Sequence, residues 1–63
     1  RATLHELIDS LPPAQKERIM KHFFDGESFV DIAAAEGVSP QAVQQSISRS
    51  LATLKKLLMG VDN

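Results

Sequence analysis

Apolar residues recur every three or four positions along most of this chain, which is the spacing of amphipathic helices. This spacing predicts helices at about residues 3–11, 13–25, 29–36 and 40–59. No stretch alternates apolar and polar residues in the way that a half-buried strand does. We therefore expect an all-α fold of four helices, in a single domain that spans residues 1–63.

Residues that begin and end helices stand at the boundaries of these patterns. Thr3 with Glu6, and Ser28 with Asp31, have the spacing of a capping box, in which each residue's side chain bonds the other's backbone N–H. Pro13 suits the first position of the second helix, where its missing N–H removes no helical hydrogen bond. A glycine follows each of the last three predicted helices, as expected for a helix that ends in a left-handed residue.

The connection between the third and fourth predicted helices is the most informative part of the chain. Gly37 starts a turn of three residues, Ser39 is placed to cap the fourth helix, and Pro40 opens it. The small side chain of Ala33 lets the two helices approach closely. This arrangement predicts a helix-turn-helix, a motif that commonly places its second helix in the major groove of DNA.

The fourth predicted helix has one apolar stripe and one polar face. The stripe, which we expect to be buried, comprises Val43, Ile47, Leu51, Leu54 and Leu58. Glutamine can pair with adenine through two hydrogen bonds, and arginine can bind guanine or phosphate. The basic residues further along the helix are better placed to contact phosphates. The candidate DNA-binding residues are Ser39, Gln41, Gln44, Gln45, Ser48, Arg49, Lys55 and Lys56. An ordinary solvated helix surface is the alternative explanation for this face.

Charge and composition restrict the possible functions. The 63 residues carry seven basic and eight acidic side chains, for a net charge of −1, although phosphate neutralisation usually supplies much of the affinity for DNA. No acid lies between Glu36 and Asp62, so the fourth helix can still present a basic edge.

The absence of cysteine excludes disulfides and fits a reducing cytoplasm, and no apolar run suits a membrane span. Arg1 at the first position suggests a fragment.

Nothing in the sequence indicates catalysis. His5 and His22 fall on different predicted helices, and neither has a second ligand at metal spacing. The serines lack the flanking glycines of a nucleophile elbow, and no glycine-rich phosphate loop is present. We therefore expect no enzyme, no metal and no cofactor.

Two groups of residues fit either a structural role or a partner surface. One is acidic, and it either stabilises helix N-termini or docks a basic partner: Asp25, Glu27, Asp31 and Glu36. The other packs on the first helix or forms a homodimer seam: Leu54, Leu57, Leu58 and Met59. We favour packing on the first helix, whose apolar stripe otherwise has no partner. Met20 and the three phenylalanines are expected to fill the interior.

Several short motifs occur together in a fixed order. They are Leu11-Pro12-Pro13, the run from Phe24 to Phe29, Asp31-Ile32-Ala33, Gly37-Val38-Ser39, Val43, Ile47, Arg49, Leu51 and Leu54. In this order and spacing, the chain resembles the C-terminal helix-turn-helix domain, region 4, of bacterial RNA polymerase sigma factors. The resemblance covers about residues 11–57.

The resemblance implies a four-helix domain that reads the upstream (minus thirty-five) promoter element with its last helix and docks on the polymerase β-flap. The family usually places basic residues early in that helix, where this chain has Gln44 and Ser46. The alternative is therefore a protein-interaction module that docks on polymerase, on a regulator or on its own copy, with little DNA affinity. The chain is either the end of a sigma factor or a free-standing regulator.

Overall fold

The computed structural model describes residues 3–60, and every regular element in that range is helical. The bounds are Leu4–Asp9 for α1, Pro13–Ile19 for α2, Phe29–Glu36 for α3 and Pro40–Met59 for α4, with a π-helical turn at Met20–Phe24. The expected all-α, four-helix fold is confirmed, and α3 and α4 have the predicted bounds. The second predicted helix is α-helical only to Ile19, where the π turn continues from it. Arg1 and Asp62 lie outside the described residues.

Local hydrogen bonds explain where the helices begin. At α1 the capping box is complete, because the Thr3 N–H donates to Glu6 Oε1 at 2.8 Å and the Glu6 N–H donates to Thr3 Oγ1 at 3.2 Å. At α3 only half of the predicted box forms. The Asp31 N–H donates to Ser28 Oγ at 3.0 Å, and the shorter aspartate side chain does not return the bond within the described structure.

The core consists of two apolar clusters, and α4 contributes to both. The first cluster joins α1, the following loop, α2 and the C-terminal half of α4: Leu7, Ile8, Leu11, Ile19 and Leu54. The second cluster joins α3 to the N-terminal half of α4: Ile32, Ala33, Val43 and Ile47. Burial of these side chains is the main force that holds the short helices together, since isolated helices of this length are marginal in water. In the part of the chain that is described, no helix is long and apolar enough to cross a membrane.

The predicted apolar stripe of α4 is wrong at two positions. Leu51 is 42% exposed and Leu58 is 52% exposed, whereas Ser50 is almost completely buried. Ser50 Oγ lies 3.0 Å from both Gln15 Oε1 on α2 and the backbone oxygen of Ser46, and its single proton is shared between these two acceptors. A small hydrogen-bonded residue therefore occupies the α2–α4 contact, and the larger Leu51 lies beside it.

The phenylalanines do not all fill the interior, contrary to the expectation from the sequence. Phe29 packs against the second cluster and Met20 against the first, but Phe23 and Phe24 are 53% and 55% exposed. A histidine ring lies near each exposed phenylalanine. The ring centroids of His22 and Phe23 are 4.8 Å apart, and those of His5 and Phe24 are 6.3 Å apart.

Candidate nucleic-acid interface

The N-terminal half of α4 is held on α3 by small and β-branched side chains. Ala33 is 1% exposed, and it lies in one cluster with Val43 and Ile47 of α4. Gly37 has a φ of 73°, the left-handed conformation that glycine adopts without steric cost. The Ala42 N–H donates to Ser39 Oγ at 3.1 Å and so caps α4. The turn therefore has the local geometry that the sequence predicts.

The structure places the predicted DNA-binding side chains on the outer surface of α4. The exposed set comprises Ser39, Gln41, Gln44, Gln45, Ser48, Arg49, Lys55 and Lys56. Within this set the spacing from Gln41 is three, four, seven and eight residues, so these side chains share one helical face. The buried Val43 and Ile47 fix the opposite face against α3.

The basic residues of α4 continue this face toward the C-terminus. Lys55 lies seven residues beyond Ser48, and Lys56 lies seven residues beyond Arg49, which is close to two helical turns or about 10 Å. From Pro40 to Met59 the helix contains no acidic residue. Its outer surface is therefore positively charged, although the whole chain has a net charge of −1.

A polar cluster that links α2, α3 and α4 was not predicted from the sequence. Arg18 Nε donates to both carboxylate oxygens of Glu36, at 3.0 and 2.9 Å, and one terminal nitrogen also donates to Glu36 Oε1. The other terminal nitrogen donates to Ser46 Oγ at 2.8 Å. Glu36 therefore belongs to an intramolecular ion pair, and it is not free to contribute to an acidic docking surface.

The ion pair changes the proton affinity of both partners. The hydrogen bonds from Arg18 hold the pKa of the Glu36 carboxyl below its ordinary value, and Glu36 raises the pKa of the Arg18 guanidinium. Both side chains are about four-fifths covered. Glu36 is therefore ionised, and its charge is neutralised locally, at the end of α3 where the turn into α4 begins.

His22 contacts the backbone through one ring nitrogen and an aromatic side chain through its ring face. Its Nδ1 lies 2.8 Å from the backbone oxygen of Glu27, and because a carbonyl only accepts hydrogen bonds, Nδ1 carries the proton. The ring stacks on Phe29 with the centroids 4.4 Å apart. Residues 3–60 contain no group of histidine, aspartate and glutamate side chains that could hold a metal ion.

An apolar groove lies on the side of the molecule formed by α1, the π turn and α4. It is lined by Leu4, Ile8, Ile19, Phe23, Phe24, Leu51 and Leu54. Leu54 packs with Leu7 and Ile8, as the favoured interpretation of the C-terminal leucines required. The other three residues of that cluster are largely exposed and are not buried against α1: Leu57 is 49%, Leu58 is 52% and Met59 is 65% exposed.

Together, the capped turn, the buried contact between α3 and α4 and the exposed polar face define a helix-turn-helix domain of the DNA-binding class. The family model for sigma-70, region 4, matches residues 1–54, and the chain belongs to this family. The region 4 domain is a non-catalytic module that typically binds the minus thirty-five promoter element. Members of the family generally also bind RNA polymerase. Comparisons with curated proteins and with solved structures gave no match.

Proposed function

We propose that this domain binds double-stranded promoter DNA by inserting the N-terminal half of α4 into the major groove. The observation that carries the proposal is the exposed row of Gln41, Gln44, Gln45 and Ser48 opposite the buried Val43 and Ile47. Amide side chains on an otherwise solvated helix face can make two hydrogen bonds to an adenine edge. Specificity then comes from amides and hydroxyls rather than from the basic residues usual in this family.

The charges on α4 support the same orientation. Arg49, Lys55 and Lys56 lie beyond the glutamines on the exposed side, where they can contact phosphates as the helix leaves the groove. The Ser39 hydroxyl accepts the Ala42 N–H, and its own O–H remains a donor for a phosphate oxygen. The function is transcription initiation, so the domain acts in the cytoplasm of a bacterium.

The test is fluorescence anisotropy of a labelled random duplex with this chain, repeated over a series of salt concentrations. We expect affinity at low salt that falls steeply as salt rises, with a slope of about 0.9 per phosphate contacted. Selection from a duplex library then gives the preferred sequence. No binding at low salt would contradict the proposal and favour a domain that acts through protein contacts.

RNA polymerase docking is the second function, and the apolar groove is the observation that favours it. A single apolar residue on a surface needs no explanation, but Phe23, Phe24, Leu51 and Leu4 are neighbours around one depression. We propose that a helical segment of the polymerase, or of a regulator, covers this groove. Leu58 is 52% exposed and lies four residues beyond Leu54, so it continues this side of α4 toward the C-terminus.

The variant Phe23→Ser tests the docking proposal, with Val30→Ser as its matched control. Val30 is 62% exposed on α3 and does not line the groove. We expect Phe23→Ser to weaken binding to RNA polymerase about tenfold while binding to free duplex DNA is unchanged. Equal polymerase binding by both variants would contradict docking through this groove. Sedimentation of the unmodified chain shows separately whether it self-associates.

A further inference from the structure

Arg18 is the one side chain within residues 3–60 that makes side-chain hydrogen bonds to both helices of the helix-turn-helix unit. It contacts Glu36, the last residue of α3, and Ser46, which lies between the exposed Gln45 and the buried Ile47 on α4. The planar guanidinium binds the carboxylate side-on and keeps one nitrogen for Ser46, an arrangement that lysine cannot reproduce. The geometry of all three groups is therefore coupled.

The position of this cluster relative to the core is informative. The two apolar clusters are separate, with α1 and α2 in the first and α3 in the second, and α4 is the element that they share. Arg18 immediately precedes Ile19 of the first cluster, whereas Ser46 immediately precedes Ile47 of the second. The Arg18 contacts thus connect the helix-turn-helix unit, α3 and α4, to α2 and the first apolar cluster.

A second polar contact lies one helical turn along the same junction. Gln15 is three residues before Arg18 on α2, and Ser50 is four residues after Ser46 on α4, so the two pairs lie side by side. Two hydrogen bonds between the same pair of helices can form together in one register only, because each needs its donor and acceptor within a narrow range of distance and angle. The two contacts therefore fix both the rotation of α4 about its axis and its position along that axis relative to α2.

From this geometry we infer that Arg18 is a positioning residue that sets the orientation of α4, and hence the presentation of Gln41, Gln44 and Gln45 to DNA. Ser46 is then an anchor for Arg18 and does not read a base. Arg18 also neutralises Glu36, whose carboxylate would otherwise repel phosphates beside the turn. The inference rests on the proposed DNA-binding function for its effect on DNA, but the orientation of α4 can be measured without DNA.

The decisive variant is Ser46→Ala, which removes the contact to α4 and leaves the Arg18–Glu36 ion pair in place. Alanine also has a higher helix propensity than serine, so α4 itself is not weakened. Arg18→Lys is the second variant, because it retains the charge but loses the forked geometry. The matched control is Thr53→Ala, since Thr53 is exposed on α4 and belongs neither to the Arg18 contacts nor to the residues proposed to bind DNA.

Two measurements are made on each variant. Residual dipolar couplings of the backbone amides report the orientation of α4 relative to α2, and competition binding reports the affinity ratio between the selected duplex and a scrambled one. For Ser46→Ala and Arg18→Lys we expect altered couplings in α4 and a ratio lowered about threefold or more. Binding to the scrambled duplex and its salt dependence should stay the same for Ser46→Ala.

A merely structural role would lower the melting temperature and leave the affinity ratio of the folded protein unchanged. Couplings and ratio that match the Thr53→Ala control in both variants would overturn the inference. If the unmodified chain binds no duplex, the proposed function fails, and the couplings alone then decide whether Arg18 positions α4.

Discussion

Ser50 on α4 and Gln15 on α2 are joined by a 3.0 Å hydrogen bond at a point where the sequence pattern predicts an apolar contact. Ser50 is 1% exposed and its hydroxyl is hydrogen-bonded, so its burial leaves no polar group without a partner. The consequence is that the inward face of α4 is rotated relative to the stripe of leucines in the sequence.

Two separate leucine-to-alanine variants of α4 test this rotation. Leu54→Ala should destabilise the domain by about 2–5 kcal/mol, because Leu54 is 4% exposed and its removal leaves a cavity in the first cluster. Leu51→Ala should cost only about 1 kcal/mol, since Leu51 is 42% exposed. Urea denaturation followed by circular dichroism measures both. An equal loss in the free energy of unfolding for the two variants would mean that Leu51 is as buried as Leu54, as the sequence pattern alone suggests.

The Arg18–Glu36 ion pair predicts a dependence of stability on pH. Because the pKa of Glu36 in the folded state lies below its ordinary value of 4.5, the ion pair stabilises the fold above that pH. The stabilisation is lost as the pH falls from there through the lower pKa of the folded state. Glu36→Gln should therefore be less stable than the unmodified chain at neutral pH by about 1 kcal/mol or less.

The measurement for this prediction is the difference in melting temperature between the two proteins from pH 7 down to the acid range. The difference should shrink as the pH falls below 4.5. The hydrogen bond from Lys16 also lowers the pKa of Asp9, but this pair is present in both proteins and its effect cancels. A constant difference at every pH would mean that the charge of Glu36 does not stabilise the fold.

Gln44 and Gln45 are the residues that we expect to carry sequence preference. Gln44→Ala and Gln45→Ala should each reduce the preference for the selected duplex by about 1–3 kcal/mol, if the glutamine makes two hydrogen bonds to one base. Competition binding against duplexes with single base changes measures the effect and identifies the base. Unchanged preference in both variants would show that another part of α4 enters the groove.

Arg49 is expected to contact a phosphate rather than a base. Arg49→Ala should weaken binding to all sequences by a similar factor and reduce the salt slope by about one. Anisotropy with the selected and the scrambled duplex over the same salt series measures both quantities. A loss confined to the selected duplex would instead identify Arg49 as a base-reading residue.

The features that could be predicted from the sequence are those set by residues close together in the chain. The turn between α3 and α4 follows from Gly37, Ser39 and Pro40, whose backbone preferences and capping bonds are local. The same local reasoning gave the bounds of α3 and α4 and the exposed polar face of α4, including its glutamines.

The features that were missed depend on residues far apart in the chain. Arg18 and Glu36 are 18 positions apart, and no periodicity within one helix indicates that they meet. Phe23 was assigned to the interior because large apolar residues usually lie there, yet it is 53% exposed. Ser50 replaces Leu51 at the helix contact because Gln15 supplies a partner from α2, which α4 alone does not reveal.

Contact between the exposed face of α4 and DNA can be observed residue by residue in a titration followed by amide chemical shifts. The isotopically labelled chain is titrated with the selected duplex while its backbone N–H signals are recorded. We expect the largest shifts from Ser39 to Arg49, with small shifts around the apolar groove. Large shifts at Leu4, Phe23 and Phe24, with little change along α4, would contradict this expectation.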